Sequence, residues 1–144
     1  IKERLKFIDL PERRLAISKS LSGSILIDDS YNSNPASLKN AVDSLEGLER
    51  KKVCILGDMK ELGSDSQKIH QEMYEYISER VDQIFCIGDE WSTCSPNEKQ
   101  DLSIFENQDD LYSHLISIID KKTILLVKGS RSTRMDLLAD KLKE

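Results

Sequence analysis

The chain has 144 residues, 38% of them hydrophobic and 33% charged, enough to bury roughly two thirds of its unfolded surface around a single core without disulfide staples. With 26 acidic against 21 basic residues and a net charge of -5, it is a poor partner for a nucleic-acid backbone, and the compact basic run Arg50-Lys51-Lys52 reads as a solvated helix end. No apolar run approaches the length of a membrane span, so no membrane insertion is expected. Nothing at the amino end reads as a signal peptide, and the first residue is Ile rather than Met, which suggests a piece of a longer protein. The three cysteines are odd in number, with Cys54 and Cys86 inside apolar runs. They read as buried thiols in a reducing compartment, and a cytoplasmic location is expected.

In chain order, residues 5–10 and 15–17 read as short strands around Pro11-Glu12-Arg13-Arg14, an edge hairpin that leads through Ser22-Gly23 into a buried central strand over 24–27. That strand runs out at Asp28 and Asp29. A polar loop follows to Asn34, where Pro35 presets the first turn of a helix. Leu38, Ala41, Val42, Leu45 and Leu48 recur at helical spacing and put one stripe on a sheet. A second buried strand over 53–56 ends at Gly57-Asp58. After a loop over 59–63, Ser64 and Gln67 read as a capping box opening a helix whose apolar face is Ile69, Met73, Tyr76 and Ile77. A third strand over 83–87 closes on Gly88-Asp89. Segment 90–100, with Trp91, Cys94 and Pro96, has no periodicity and is expected to be a loop. A short strand over 102–105 precedes a helix capped by Asn107, with Leu111, Leu115, Ile118 and Ile119 inward. The most hydrophobic strand, 123–127, feeds a last helix marked by Met135, Leu138, Ala139 and Leu142.

Strands alternating with helices are βαβ units, and right-handed crossovers place helices on both faces of the sheet. The expected fold class is α/β, a Rossmann-like three-layer sandwich with a mostly parallel sheet and an antiparallel edge hairpin. Ligands of such sheets bind outside the carboxyl ends of the strands. Three polar clusters should therefore converge on one rim: Asp28-Asp29 with the loop after it, Gly57-Asp58 through Glu61, and Lys128 through Arg131. The first could equally be a capped βα turn. The last has the makings of an anion site, with Gly129 admitting a ligand close to the backbone and Lys128 and Arg131 flanking it, unless those cations pair with Asp28 or Asp58. A nucleotide or a small zwitterion would suit this set. The six glycines contain neither a G-x-G pair nor a Gly-Lys dipeptide, so another domain must hold most of any triphosphate. His70 and His114 lie in no metal-ligand spacing, and no metal site is expected here. His114 reads as a plain helix residue, whereas His70, one helical turn past the Asp58 loop, could face the rim. Asp28, Asp29, Asp58 and Glu61 are all candidate general bases, and spacing does not rank them.

Three stretches, Ile27-Asp28-Asp29-Ser30-Tyr31-Asn32-Ser33-Asn34-Pro35, Leu56-Gly57-Asp58-Met59-Lys60-Glu61-Leu62-Gly63 and Val127-Lys128-Gly129-Ser130-Arg131, taken in order resemble the carboxy-terminal domain of the Mur ligases, of the MurF type, over nearly the whole chain. The resemblance implies the third domain of a three-domain, ATP-dependent ligase of peptidoglycan synthesis. An acyl phosphate made on UDP-N-acetylmuramoyl-tripeptide would be attacked by the amine of D-alanyl-D-alanine, giving an amide, ADP and phosphate. The P-loop and the Mg2+ ligands would belong to the central domain and the UDP site to the amino-terminal one, so both domains are implied partners. Carried over by position, Arg4 would reach the ATP phosphates, Asp29 the ribose, and Tyr31, Asn32, Asn34 and Pro35 would lie beside the nucleotide. Lys128 and Arg131 would be the catalytic cations, with Asp58, Glu61, His70 and Ser130 on the substrate side. Two other readings are a phosphoacceptor receiver domain, whose acidic pocket Asp28-Asp29, Asp58 and Lys128 imitate with different strand spacing, and a binding-only α/β domain.

Overall fold

A computed structural model describes residues 13–98, 100 and 102–144. Arg4 and the expected strand at 5–10 lie outside the described residues. The described strands are β1 (Ala16–Lys19), β2 (Ile25–Asp29), β3 (Lys51–Gly57), β4 (Gln83–Ile87), β5 (Leu102–Phe105) and β6 (Thr123–Lys128), in the order β1-β2-β6-β3-β4-β5. β1 pairs antiparallel with β2, and every other neighbouring pair is parallel. The helices are α1 (Pro35–Asp43), α2 (Ser66–Ser78), α3 (Asp89–Ser92), α4 (Gln108–Ile118) and α5 (Met135–Leu142).

Successive strand residues point to opposite faces, and the core splits accordingly. Ile27, Cys54, Leu56, Ile124 and Leu126 pack with Leu38 of α1, Met73 of α2 and Trp91 of α3. Leu26, Val53, Ile55, Leu125 and Val127 pack with Leu111 of α4 and Met135 and Leu138 of α5. With both faces covered, all of β6 is buried, which is why its sequence is a continuous apolar run. The three-layer α/β expectation is borne out.

Four local expectations are corrected. The strand ending at Asp29 is not central but lies one in from the edge, because β6, last in sequence, inserts between β2 and β3. The Ser64 capping box does not form. Gly63–Asp65 is a single 3-10 turn, α2 begins at Ser66, and its Asp65 cap makes no side-chain bond. The inward face of α2 is centred on His70, Met73, Tyr74 and Ile77, while Ile69 and Tyr76 pack against the core only from its half-buried margin, where the Tyr76 ring carries the Arg80 guanidinium at 3.6 Å. Segment 90–100 starts inside α3, where Trp91 is fully buried and its Nε1 donates to the Gly57 carbonyl at 2.7 Å. The α1 start is as expected, with Asn34 Oδ1 accepting from the Ser37 amide at 2.9 Å and Ser37 Oγ accepting from the Asn34 amide at 3.1 Å. Cys54, Cys86 and Cys94 are free and buried, and burial pushes the Cys54 thiol up to about 12.

Candidate functional site

Parallel pairing brings the carboxyl ends of β2, β6 and β3 to one rim, and register decides which of two adjacent carboxylates meets the lysine. Asp29 is level with Lys128 across the β2–β6 pair. Lys128 Nζ donates to Asp29 Oδ2 at 2.7 Å and to the Asn32 carbonyl at 2.8 Å, while Asp29 Oδ1 accepts from the Leu15 amide at 3.0 Å. Burial pushes the Asp29 carboxyl up and the Lys128 ammonium down, and the pairing opposes both shifts. Asp28 sits on the opposite face. It accepts from Arg13 Nη1 at 3.0 Å and from the Ser30 amide and hydroxyl at 3.1 and 2.5 Å. Arg13 continues to Asp140 at 2.8 and 2.9 Å, tying the chain before β1 to α5. Asp28 is thus committed to the fold, and Lys128 pairs with neither Asp28 nor Asp58.

The loop after β3 is stitched to the loop after β6. Asp58 is 2% exposed, and its carboxylate accepts from the Trp91 and Glu90 amides at 3.2 and 3.3 Å, fastening the first turn of α3. A Cβ on Gly88, whose φ is +132°, would lie 2.2 Å from Asp58 Oδ1, so only glycine lets this carboxylate in. The Asp58 carbonyl accepts from the Ser130 amide at 2.9 Å, and Ser130 Oγ accepts from the Lys60 amide at 2.7 Å. Gly129 serves packing rather than ligand approach. A Cβ there would sit 2.7 Å from Met135 Cγ and 3.0 Å from the Gly57 Cα. His70 is fully buried. Its Nε2 accepts from the Met59 amide at 3.1 Å, so its Nδ1 carries the proton and donates to the Ser66 carbonyl at 2.8 Å. Its ring meets Trp91 edge-on at 4.6 Å. His70, expected on the substrate side, lines neither cavity of the rim, and both its ring nitrogens hold the Met59 turn.

Two cavities adjoin at the rim. The smaller, about 350 Å³, is lined by Arg14, Asp29, Tyr31, Asn34, Asn40 and Lys128, among others. The larger, about 680 Å³, is lined by Tyr31, Lys60, Glu61, Ser130, Arg131 and Ser132 with their neighbours. Tyr31, Asn32 and Asn34 border both. Of the expected site residues, the structure brings together Asp29, Tyr31, Asn32, Asn34 and Lys128 around the first cavity, and Glu61, Ser130 and Arg131 around the second. Pro35, Asp58 and His70 line neither; Pro35 opens α1 behind Asn34. Arg14 was not among the expected residues. Its guanidinium carbon lies 4.2 Å from the Tyr31 ring centre, and that of Arg131 lies 5.6 Å from the same centre. A second arginine in an apparent turn carries no motif, so nothing local marks it. Among the described residues, no cluster of three or more His, Cys, Asp or Glu side chains is placed to hold a metal ion.

The family described as Mur ligase, glutamate ligase domain, matches residues 13–131, a span that holds all six described strands and all but the last described residue lining the two cavities. The chain belongs to this family. The Mur ligase domain is 35% identical over 127 residues to UDP-N-acetylmuramoyl-tripeptide--D-alanyl-D-alanine ligase of Haemophilus influenzae, covering 83% of the chain and 27% of that relative. It is 39% identical over 127 residues to the ligase of the same name from Buchnera aphidicola subsp. Acyrthosiphon pisum, with the same coverage of 83% and 27%. It therefore spans only about a quarter of the length of these curated relatives. Among solved structures, MurF from Acinetobacter baumannii superposes with a TM-score of 0.80 at 30% identity over 95% of this domain and 31% of that chain. MurF ligase from Thermotoga maritima in complex with ADP gives 0.82 at 23% identity over 93% and 31%, a likeness of fold. A receiver reading of the Mur ligase domain fails on chemistry as well as on family, since the Asp58 carboxylate is buried against the α3 amides.

Proposed function

We propose that this domain is the carboxy-terminal domain of a cytoplasmic, ATP-dependent ligase that joins D-alanyl-D-alanine to UDP-N-acetylmuramoyl-tripeptide through an acyl phosphate. The relatives carrying that name support it. The observation that carries the reading is the shared wall. The Tyr31 loop borders both cavities, so a nucleotide in one and an acyl acceptor in the other would meet across a single loop. The smaller cavity suits a nucleotide by its lining: a carboxylate to accept from ribose hydroxyls, an aromatic face, and side-chain amides at Asn32 and Asn34. When bound, ATP supplies the phosphoryl group that activates the tripeptide carboxyl. Magnesium ligands would lie in the central domain, and no step here is assigned to them.

The chain's own residues position and shield. Lys128 fixes the Tyr31 loop through the Asn32 carbonyl and Asp29, which sets the height of the wall. Ser130 locks the loops after β3 and β6 together, so that Glu61 and Arg131 face one space. Arg131, exposed and without an ion-pair partner among the described residues, meets negative charge that builds at the acyl phosphate or on the incoming dipeptide. Closure onto the central and amino-terminal domains would exclude water from the acyl phosphate, which otherwise hydrolyses. The test uses the full-length ligase. Arg131→Ala should lower kcat by about a hundredfold with an unchanged unfolding midpoint. Wild-type turnover in that variant refutes the assignment.

A further inference from the structure

The tripeptide Arg13-Arg14-Leu15 brings one charged residue, Arg14, to the smaller cavity beside Leu15, at a backbone cost. Arg13 and Leu15 have φ of 64° and 46°, in the left-handed region that side chains with a Cβ rarely adopt. Both are pinned there. The Arg13 carbonyl accepts from the Tyr31 amide at 3.0 Å, its guanidinium binds Asp28 and Asp140, and the Leu15 amide donates to Asp29 at 3.0 Å. Arg14, between them, is exposed, has no ion-pair partner among the described residues and rests against the Tyr31 ring. The other cation lining this cavity among the described residues, Lys128, is already spent on Asp29 and the Asn32 carbonyl. A guanidinium lying against an aromatic ring keeps N–H donors at its edge, in a fork that takes the oxygens of a phosphate two at a time.

We propose that Arg14 is a phosphate-binding residue, held against Tyr31 so that it grips the phosphate groups of a nucleotide in the smaller cavity, while Arg131 on the same ring serves the larger one. This rests on the nucleotide reading of that cavity given above. Among the described residues, nothing else lining the cavity offers uncommitted positive charge, which would explain why the backbone accepts two strained residues to place this one.

The test compares ADP and adenosine as competitors of ATP in the full-length ligase. In Arg14→Ala, the KM for ATP and the Ki for ADP should rise about tenfold, while the Ki for adenosine and the unfolding midpoint stay at wild type. Arg14→Lys should recover only part of the loss, since it restores the charge without the fork. An unchanged Ki for ADP overturns the proposal, as does an equal loss for ADP and adenosine, which would mark a contact to the base. Asp29→Asn is the control on the underlying reading and should weaken both competitors through the ribose. If Asp29→Asn weakens both and Arg14→Ala neither, only the Arg14 assignment fails. If Asp29→Asn leaves both untouched, the nucleotide reading itself has failed.

Discussion

Lys128→Met isolates the interaction that holds the rim. At 2.7 Å and an effective dielectric of about 20, the attraction between Lys128 and Asp29 is on the order of 6 kcal/mol, and desolvation of both groups offsets much of it. Their side chains are only 2% and 10% exposed, so removing the ammonium strands a carboxylate that keeps just the Leu15 amide as donor. The domain should lose about 3–5 kcal/mol at pH 7, read as a shift of the urea midpoint at constant slope. The pH dependence gives a second handle. Burial already raises the Asp29 carboxyl, and loss of Lys128 raises it further, so the folded variant binds this proton more tightly than the unfolded chain. Stability of the variant must then increase as pH falls from 7 through the folded value, by at most about 1.4 kcal/mol per pH unit, and level off near the ordinary carboxylate range. Asp29→Asn combined with Lys128→Met should restore most of the loss, because no buried charge remains. A single-variant loss below about 1 kcal/mol, or a loss that does not shrink on acidification, would refute the account of the pair.

Two further substitutions test the supports behind the cavities. Gly88→Ala places a methyl 2.2 Å from Asp58 Oδ1 at a φ of +132°, so it should cost about 2–4 kcal/mol. Displacing Asp58 should also loosen α3 and shift the emission of Trp91, the only tryptophan, to the red; an unshifted spectrum with full stability would show that the Asp58 clasp is dispensable. His70→Leu leaves the Met59 amide buried without its acceptor and should cost about 1–3 kcal/mol in urea unfolding, while full-length turnover below the transition stays near wild type. Lost turnover at undiminished stability would instead place His70 in the chemistry.

Much of the architecture was legible because it is written in local periodicity. Strands 83–87 and 102–105 fall where the apolar runs are, and the Asn34-Pro35 and Asn107 signals open α1 and α4 where capping chemistry predicts. The convergence of three polar clusters followed as well, since parallel strands must end on one edge. What stayed hidden depends on partners distant in sequence. Ser64 and Gln67 make a good capping pair on paper, yet Ser66 starts the helix and gives its hydroxyl to Glu90, 24 residues away. Trp91 has no periodic neighbours, and its burial rests on the Gly57 carbonyl and on Asp58.

By itself, then, the sequence determined most of the strands and the longer helices, though not α3, and also that the sheet is mostly parallel and which loops share its carboxyl edge, because backbone propensity and side-chain alternation act over a few residues. Only the tertiary structure decided the roles within that edge. The insertion of β6 beside β2 set Lys128 level with Asp29 and not Asp28. Burial turned Asp58 and His70 into supports, and the strained turn before β1 carried Arg14 to Tyr31. Hydrogen bonds and ion pairs are spent on whichever groups the fold brings within 3 Å, and the order of residues along the chain does not contain that distance.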